Sequence, residues 1–552
     1  MGNSIAKIQH EQIKLLNDKL HKPEPNLKYD EALMQKITNM SALQLRDELL
    51  NNDELTLTEV FKIFHYKKMV NNNEHRAFAD ILYQEPHKHA SELQNELKND
   101  LKKEKDLPLL GFVISIKDSL RLKGTASTCG LIINAGFLET EQPETMELLM
   151  RKGALLTCKG NVPQSLFVIE TMNNLFGCAT NPHNALRSVG GSSGGDAALV
   201  ALKCVNASIG TDIGGSVRIP ALFCGIVGFK PTIGRVSGES FGSFYGNQPF
   251  GKTMDTNTGV IRPTIGPMTR TVADAETIMK VLIQSSDYDV SIPPLPWRDV
   301  ELPKRVGLFI EFDQMEIGPA NKRALHVAAT ALERNEIEIV PLNFDELFED
   351  IFVLTVASFY KDDNLKKTFS RGSPINEPVI PPAIDFAKAL KYPHFIIRWL
   401  AARPNEDRRS LFLKALVKSR SINTYTLGGE IGNIRKKFRL YLDSKNVKML
   451  LAPGLCTPAI YHGSSNECCV QVIYTLMFNL FECPTGALPI TRVKEDEQYY
   501  ETKFNDVPAL SLEKNMKDSE GLPVGIQVAG MAWMDEHVLK LMSIIEQEVQ
   551  YK

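Results

Sequence analysis

No run of apolar residues in this chain of 552 reaches the roughly 18 positions that a membrane-spanning helix needs. The N-terminal stretch MGNSIAKIQHEQIKLLNDKLHKPEPN is polar and lacks the apolar core of a secretory signal. Nine cysteines are scattered with no CxxC pair, and the adjacent Cys468 and Cys469 suit neither an ordinary disulfide nor a metal clip. That usage points to a reducing compartment, with no metal and no cofactor expected. An excess of one charge is missing as well. The formal net charge is -3, which gives no general attraction to nucleic acid. No internal repeat is found. These absences predict an intracellular protein, cytoplasmic or peripheral on a cytoplasm-facing membrane. One feature favours the second place: Met1-Gly2-Asn3-Ser4-Ile5-Ala6 is close to an N-myristoylation site, although Ala6 stands where Ser or Thr is preferred. An ordinary helical N-terminus is the alternative.

Hydrophobic residues make up 43% of the chain and charged residues 23%, enough apolar material for a large buried core. Residues 1–75 read as an N-terminal helical region, in which Leu43, Leu45 and Leu49, then Val60, Ile63 and Phe64, recur at helical spacing. The polar stretch 92–106 reads as a solvated helix. PLLGFVISIKDSL reads as a buried strand that ends near Lys117. Pro143 opens a helix that Gly153 closes. ALLTCKG is a strand, GGSSGG a loop and DAALVALKC a short helix. The text from Asn206 to Thr232, rich in Gly and β-branched residues, reads as strand, loop and strand. Residues 305–341 read as strand, helix and strand. This βαβ alternation predicts an α/β fold with a mixed or mostly parallel sheet covered by helices. Residues 238–259, rich in Gly, Asn and Thr, are the segment expected to be least ordered.

Three features carry chemistry. Lys117 ends a buried strand. Gly190-Gly191-Ser192-Ser193-Gly194-Gly195 is one glycine-serine loop. Gly214-Gly215-Ser216, after Thr211-Asp212-Ile213, is another. Neither loop cradles phosphate in the Walker manner, because no Gly-Lys-Ser/Thr follows. Gly190 to Gly194 also spells G-x-S-x-G, the nucleophile elbow of α/β-hydrolases. An elbow needs a buried strand just before it, and the preceding NPHNALRSV is polar and turn-like. His326, His394, His462 and His537 stand in no evident catalytic context, so the elbow is the weaker reading. A serine hydroxyl needs a base to become a nucleophile. A lysine can be that base if burial lowers its pKa from the free value of about 10.4.

In order and spacing, SIKDS around Lys117, GNVPQSLF (160–167), NLFGCATNP (174–182), GGSSGGDAAL (190–199) and IGTDIGGSVRIPALFCGIVGFKPT (209–232) resemble the amidase signature family, in its fatty acid amide hydrolase branch. The likeness continues through LLAPGL, CPTGALPIT and GLPVGIQV, so that residues 76–552 are expected to be the catalytic domain. The resemblance implies a large twisted mixed β-sheet with helices on both faces. It also implies a triad in which Lys117 is the base, Ser192, after a cis peptide bond from Gly191, relays the proton, and Ser216 attacks the amide carbonyl. Ile213, Gly214, Gly215 and Ser216 would supply N–H groups to the substrate oxygen. Ser193, Asp212 and Arg218 would buttress the two loops, and Leu166 would wall the substrate site.

The family acts on aryl, peptide and lipid amides and includes tRNA-handling amidotransferase subunits. Two features favour a lipid amide, such as an N-acylethanolamine or a primary fatty amide. One is the NVPQSLF text. The other is residues 384–402, IDFAKALKYPHFIIRWLAA, an apolar and basic stretch bearing Trp399 that Pro393 divides into two short helices. It falls where the fatty acid amide hydrolases carry a membrane-binding cap, and its composition suits an interfacial anchor; a helix pair packed on the core is the alternative. The resemblance further implies a homodimer. The competing functions are a general amidase for small soluble amides, an amidotransferase subunit active only with its partners, and a catalytically silent lipid-binding protein.

Overall fold

Eleven short stretches dense in Val, Ile, Leu and Gly pair into one sheet. In the computed structural model, which describes residues 30–52, 54–99, 104–242, 261–361, 377–383, 388, 391–402 and 407–551, these are β1 Phe78–Ile81, β2 Val113–Lys117, β3 Leu155–Gly160, β4 Ala207–Asp212, β5 Val227–Lys230, β6 Thr264–Thr269, β7 Arg305–Phe309, β8 Glu338–Leu342, β9 Met449–Pro453, β10 Thr485–Arg492 and β11 Pro523–Gly530. Their spatial order is β1-β3-β2-β4-β6-β5-β10-β11-β9-β7-β8. β2 runs parallel to β3 and β4, and β7 runs parallel to β8 and β9. The pairings between these two groups are antiparallel. The sheet is therefore mixed rather than mostly parallel. Helices cross over between the parallel neighbours β2 and β3 and between β7 and β8, as such pairs require. The Gly2 motif, residues 243–259 of the glycine-rich segment, and positions 384–387, 389 and 390 of the expected cap lie outside the described residues.

Helices cover both faces. Small residues decide how near one of them comes: a Cβ on Gly228 would stand 2.7 Å from the Ala221 side chain, and one on Gly525 2.8 Å from Leu222. These glycines seat the helix Arg218–Cys224 directly on the sheet. The opposite face receives the helix Asp535–Val549, whose Met542 lies against Gly486. The N-terminal helices Glu31–Asn39, Ala42–Asn51 and Leu57–His75 begin with side-chain caps from Asp30, Ser41 and Thr56. They share a core with the sheet, where Val60, Phe61 and Phe64 pack in one cluster with Leu155, Ala197 and Val200.

Three local expectations change. The helix expected over 92–106 runs from Gln84 to Lys98 and buries Ala90 and Leu93, so one of its faces is packed. The text between β4 and β5 contains the helix Arg218–Cys224, which had been expected to be a loop. All seven of its residues are buried, so no polar face exists to produce a helical period. The stretch before G-x-S-x-G is a short strand, Asn184–Ser188, but it pairs with Thr180–Asn181 in a separate ribbon and through Arg187 with Tyr461. It is not the sheet strand that a nucleophile elbow needs. No helix among the described residues is long and apolar enough to cross a membrane.

Candidate active site

The site gathers at the carboxyl ends of the parallel strands β2 and β4, where open α/β sheets bind ligands. All five residues of β2 are buried, which carries Lys117 at its end out of contact with water. Lys117 Nζ donates to Ser192 Oγ at 2.8 Å, to Thr211 Oγ1 at 2.8 Å and to the Thr211 carbonyl at 3.2 Å. Burial lowers the Lys117 pKa to about 7, with Asp196 and Asp212 acting in the opposite direction. Neutral, the amine has two hydrogens for Thr211 and a lone pair for the Ser192 hydroxyl.

The peptide bond Gly191–Ser192 is cis. Thr171 Oγ1 donates to the Gly190 carbonyl at 2.8 Å and fixes the loop before it. After it, the Ser193 N–H donates to the Ser216 carbonyl at 3.1 Å, which sets the two serine loops side by side. Ser193 does this through its backbone. Its buried hydroxyl has no hydrogen-bond partner among the described residues.

Asp212 shapes the second loop. Its carboxylate accepts the N–H groups of Gly215 at 2.9 Å and Val217 at 3.2 Å. Arg218 grips the same carboxylate through Nε and Nη2, each at 3.0 Å, and reaches the Thr475 carbonyl, Gln527 Oε1 and Asn479 Oδ1. Burial alone would raise the Asp212 pKa, but the charge and hydrogen bonds of Arg218 hold it well below the usual carboxylate range. One expected oxyanion donor is corrected by this arrangement. The Gly215 N–H is already given to Asp212. Ile213, Gly214 and Ser216 line the cavity instead. Because both members of the pair are fully buried, Arg218→Ala leaves a carboxylate uncompensated. Urea denaturation should show a loss of roughly 3–5 kcal/mol; a loss below about 1 kcal/mol would deny the pair its structural role.

Ser216 opens on a cavity of about 400 Å³, within the range of small-molecule sites. Leu166, Phe167, Val168, Ile169, Phe359 and Phe412 give it an apolar wall. Leu166 lines it with a left-handed backbone shared with Ser165. Several residues at the site were not foreseen. Thr211 was quoted without a role and holds Lys117. Ser115 Oγ donates to Asp196 Oδ1 at 2.6 Å, and burial pushes Asp196 up to about 7. Thr475, Asn479 and Gln527 reach Arg218 from more than 250 positions away, so no local pattern could have marked them.

The comparisons with known proteins agree with this geometry. Residues 62–539 match the family model described as Amidase. A fatty-acid amide hydrolase 1 of Sus scrofa is 30% identical over 79% of this chain and 75% of its own length. An acetamidase of Aspergillus oryzae is 27% identical over 92% of this chain and 89% of its own. Relatives named for such different amides fix the reaction class and leave the acyl group open. A solved fatty acid amide hydrolase shares the fold with a TM-score of 0.78 at 22% identity, covering 99% of this chain and 95% of that one. With the family model matching most of its length, the chain belongs to the amidase signature family of amide hydrolases.

Proposed function

We propose that the protein hydrolyses long-chain fatty acid amides to a fatty acid and an amine, with Ser216 as nucleophile, Ser192 as proton relay and Lys117 as base. The observation that carries the substrate class is the apolar cavity of about 400 Å³ onto which Ser216 opens. Neutral Lys117 accepts the Ser192 proton while Ser192 accepts that of Ser216. The Ser216 oxygen then bonds to the amide carbon. The carbonyl oxygen gains negative charge, which the N–H groups of Ile213, Gly214 and Ser216 stabilise; one such donor is worth roughly 3 kcal/mol. As the tetrahedral intermediate collapses, the carbon–nitrogen bond breaks. Ser192 gives its proton to the departing amine, which would otherwise leave badly, and is reprotonated from Lys117. Water then attacks the acyl-enzyme by the same proton route, releasing the acid and restoring Ser216.

A second observation favours an insoluble substrate. The helix His394–Ala401 starts after Pro393 and packs on the helix Ser410–Ser421, which contributes Ser410, Phe412 and Leu413 to the cavity. It buries Ile397 but exposes Phe395 by 74% and Trp399 by 57%, beside the basic Lys391 and Arg398. An aromatic and basic face next to the cavity suits reversible contact with a lipid surface, through which such amides would enter.

The test is hydrolysis of saturated primary amides of increasing length by the purified single chain. A buried methylene is worth about 0.8 kcal/mol, or roughly fourfold in kcat/KM. The expected gain between a two-carbon and a long-chain amide is therefore at least about 10³-fold. Equal kcat/KM across the series would defeat the lipid reading in favour of a general amidase. Activity that required added subunits would favour an amidotransferase component.

A further inference from the structure

Glu170, Cys178 and His462 come from separate stretches of chain, and the fold brings a carboxylate oxygen, Sγ and Nδ1 to within 4.8 Å of one another. His462 Nδ1 is 3.3 Å from Cys178 Sγ and 3.2 Å from Glu170 Oε1. A tetrahedral zinc ion has bonds of about 2.3 Å to sulfur and about 2.0–2.2 Å to nitrogen and oxygen. Three donors around it therefore stand roughly 3.3–3.8 Å apart, close to the two separations from His462 Nδ1, and the third lies within 4.8 Å. Linear spacing hid this set, since Cys178 and His462 are 284 positions apart.

The surroundings prepare each donor. His462 Nε2 lies 3.2 Å from the Ala185 carbonyl, which can only accept. Nε2 therefore carries a hydrogen. Against burial, the hydrogen bonds to Cys178 and Glu170 push His462 up to about 10, so an ion bound here would take the place of the Nδ1 proton, with Nε2 oriented as in metal-bound histidines. Glu170 is fully buried and is held by the Gly463 N–H, at 2.8 Å and 3.0 Å from its two oxygens. Its charged partner is His462, which supplies the positive charge a buried carboxylate calls for and whose place an ion would take. Cys178 and His462 are only half-buried, which leaves a way in for an ion.

We infer that Glu170, Cys178 and His462 form a zinc site with a fourth position open to water. One thiolate, one imidazole and one carboxylate suit Zn²⁺; Mg²⁺ and Ca²⁺ need more oxygen ligands. The site is distinct from the serine centre but shares its walls. Val168 and Ile169, just before Glu170, line the cavity, as do Ser465, Asn466 and Cys469, just after His462. A Cβ on Gly191 would stand 3.1 Å from the Glu170 N. An ion here would tie these two lengths of wall together beside the loop that carries Ser192.

The full chain, stripped with a chelator, is titrated with Co²⁺ as a spectroscopic substitute. One equivalent should produce a thiolate-to-cobalt charge-transfer band in the near ultraviolet, and one equivalent of Zn²⁺ should remove it. Cys178→Ser should abolish the band with the far-ultraviolet circular dichroism unchanged. Loss of a ligand should exceed the effect of losing an outer partner, so Zn²⁺ affinity should fall at least about 100-fold in Cys178→Ser and in His462→Gln. Absence of the band in the wild type, as a purely hydrogen-bonded triad would give, overturns the inference and needs no variant to fold. A band unchanged in folded Cys178→Ser, such as one arising at Cys469, overturns it as well.

Discussion

Ser216→Ala should lower kcat toward a long-chain amide by about 10⁵- to 10⁶-fold, the range seen when a serine hydrolase loses its nucleophile. The fold should survive, because the Ser216 carbonyl still accepts the Ser193 N–H and the side chain borders a cavity rather than the packed interior. Substrate affinity should persist, since the apolar wall and the turn's N–H groups are untouched. Hydrolysis rates, thermal unfolding and equilibrium binding of the amide check the three parts separately, and a fluorophosphonate probe that labels the wild type should fail to label the variant. The result that would reverse the assignment is equally specific. An alanine variant retaining more than about a hundredth of the wild-type rate would exceed what the oxyanion donors and binding alone supply. It would move the nucleophile to Ser192, the serine in the G-x-S-x-G spelling.

The site was legible in the sequence to the extent that its parts lie on short continuous motifs. Lys117 was visible because a dense apolar run leads to it, and Ser192 and Ser216 because glycine-rich loops flank them. Strand and helix alternation around residues 305–341 was legible for the same reason: each element there has a period that its neighbours do not disturb. What was hidden is what the fold joins at long range. The antiparallel centre of the sheet depends on β5 meeting β10, where Gly228 pairs with Ala487 far along the chain, and no periodicity encodes a partner. The helix Arg218–Cys224 was missed because complete burial erased its polar face. Arg218 itself was marked, but the partners that define its role, Thr475, Asn479 and Gln527, were not. Gly215 shows the limit of reading a motif one residue at a time. Its N–H was assigned to the substrate with its neighbours, yet the carboxylate three positions earlier takes it.

Lys117→Ala should reduce kcat/KM about 10³- to 10⁴-fold, in keeping with loss of a general base within a hydrogen-bonded relay, and should change the pH dependence as well. In the wild type the base acts only when neutral. With its pKa lowered to about 7 by burial, the rate should rise as pH increases through 7 and level off above it. That limb should vanish in Lys117→Ala, and a limb that persisted there would assign it to another group. Asp196 supplies a directional control. Its charge raises the Lys117 pKa, so Asp196→Asn should move the limb to lower pH. The same shift has a stability counterpart with a definite sign. Between about pH 7 and 10.5 the unfolded chain keeps this lysine protonated while the folded chain holds it neutral, so wild-type stability gains with rising pH across that window. Below pH 7 the full penalty applies, on the order of 5 kcal/mol for a shift from 10.5 to about 7. Lys117→Met has no such group, so the stability of the wild type relative to this variant should climb from pH 7 to pH 10. A difference that stayed flat would mean that Lys117 remains charged in the folded protein and cannot serve as the base.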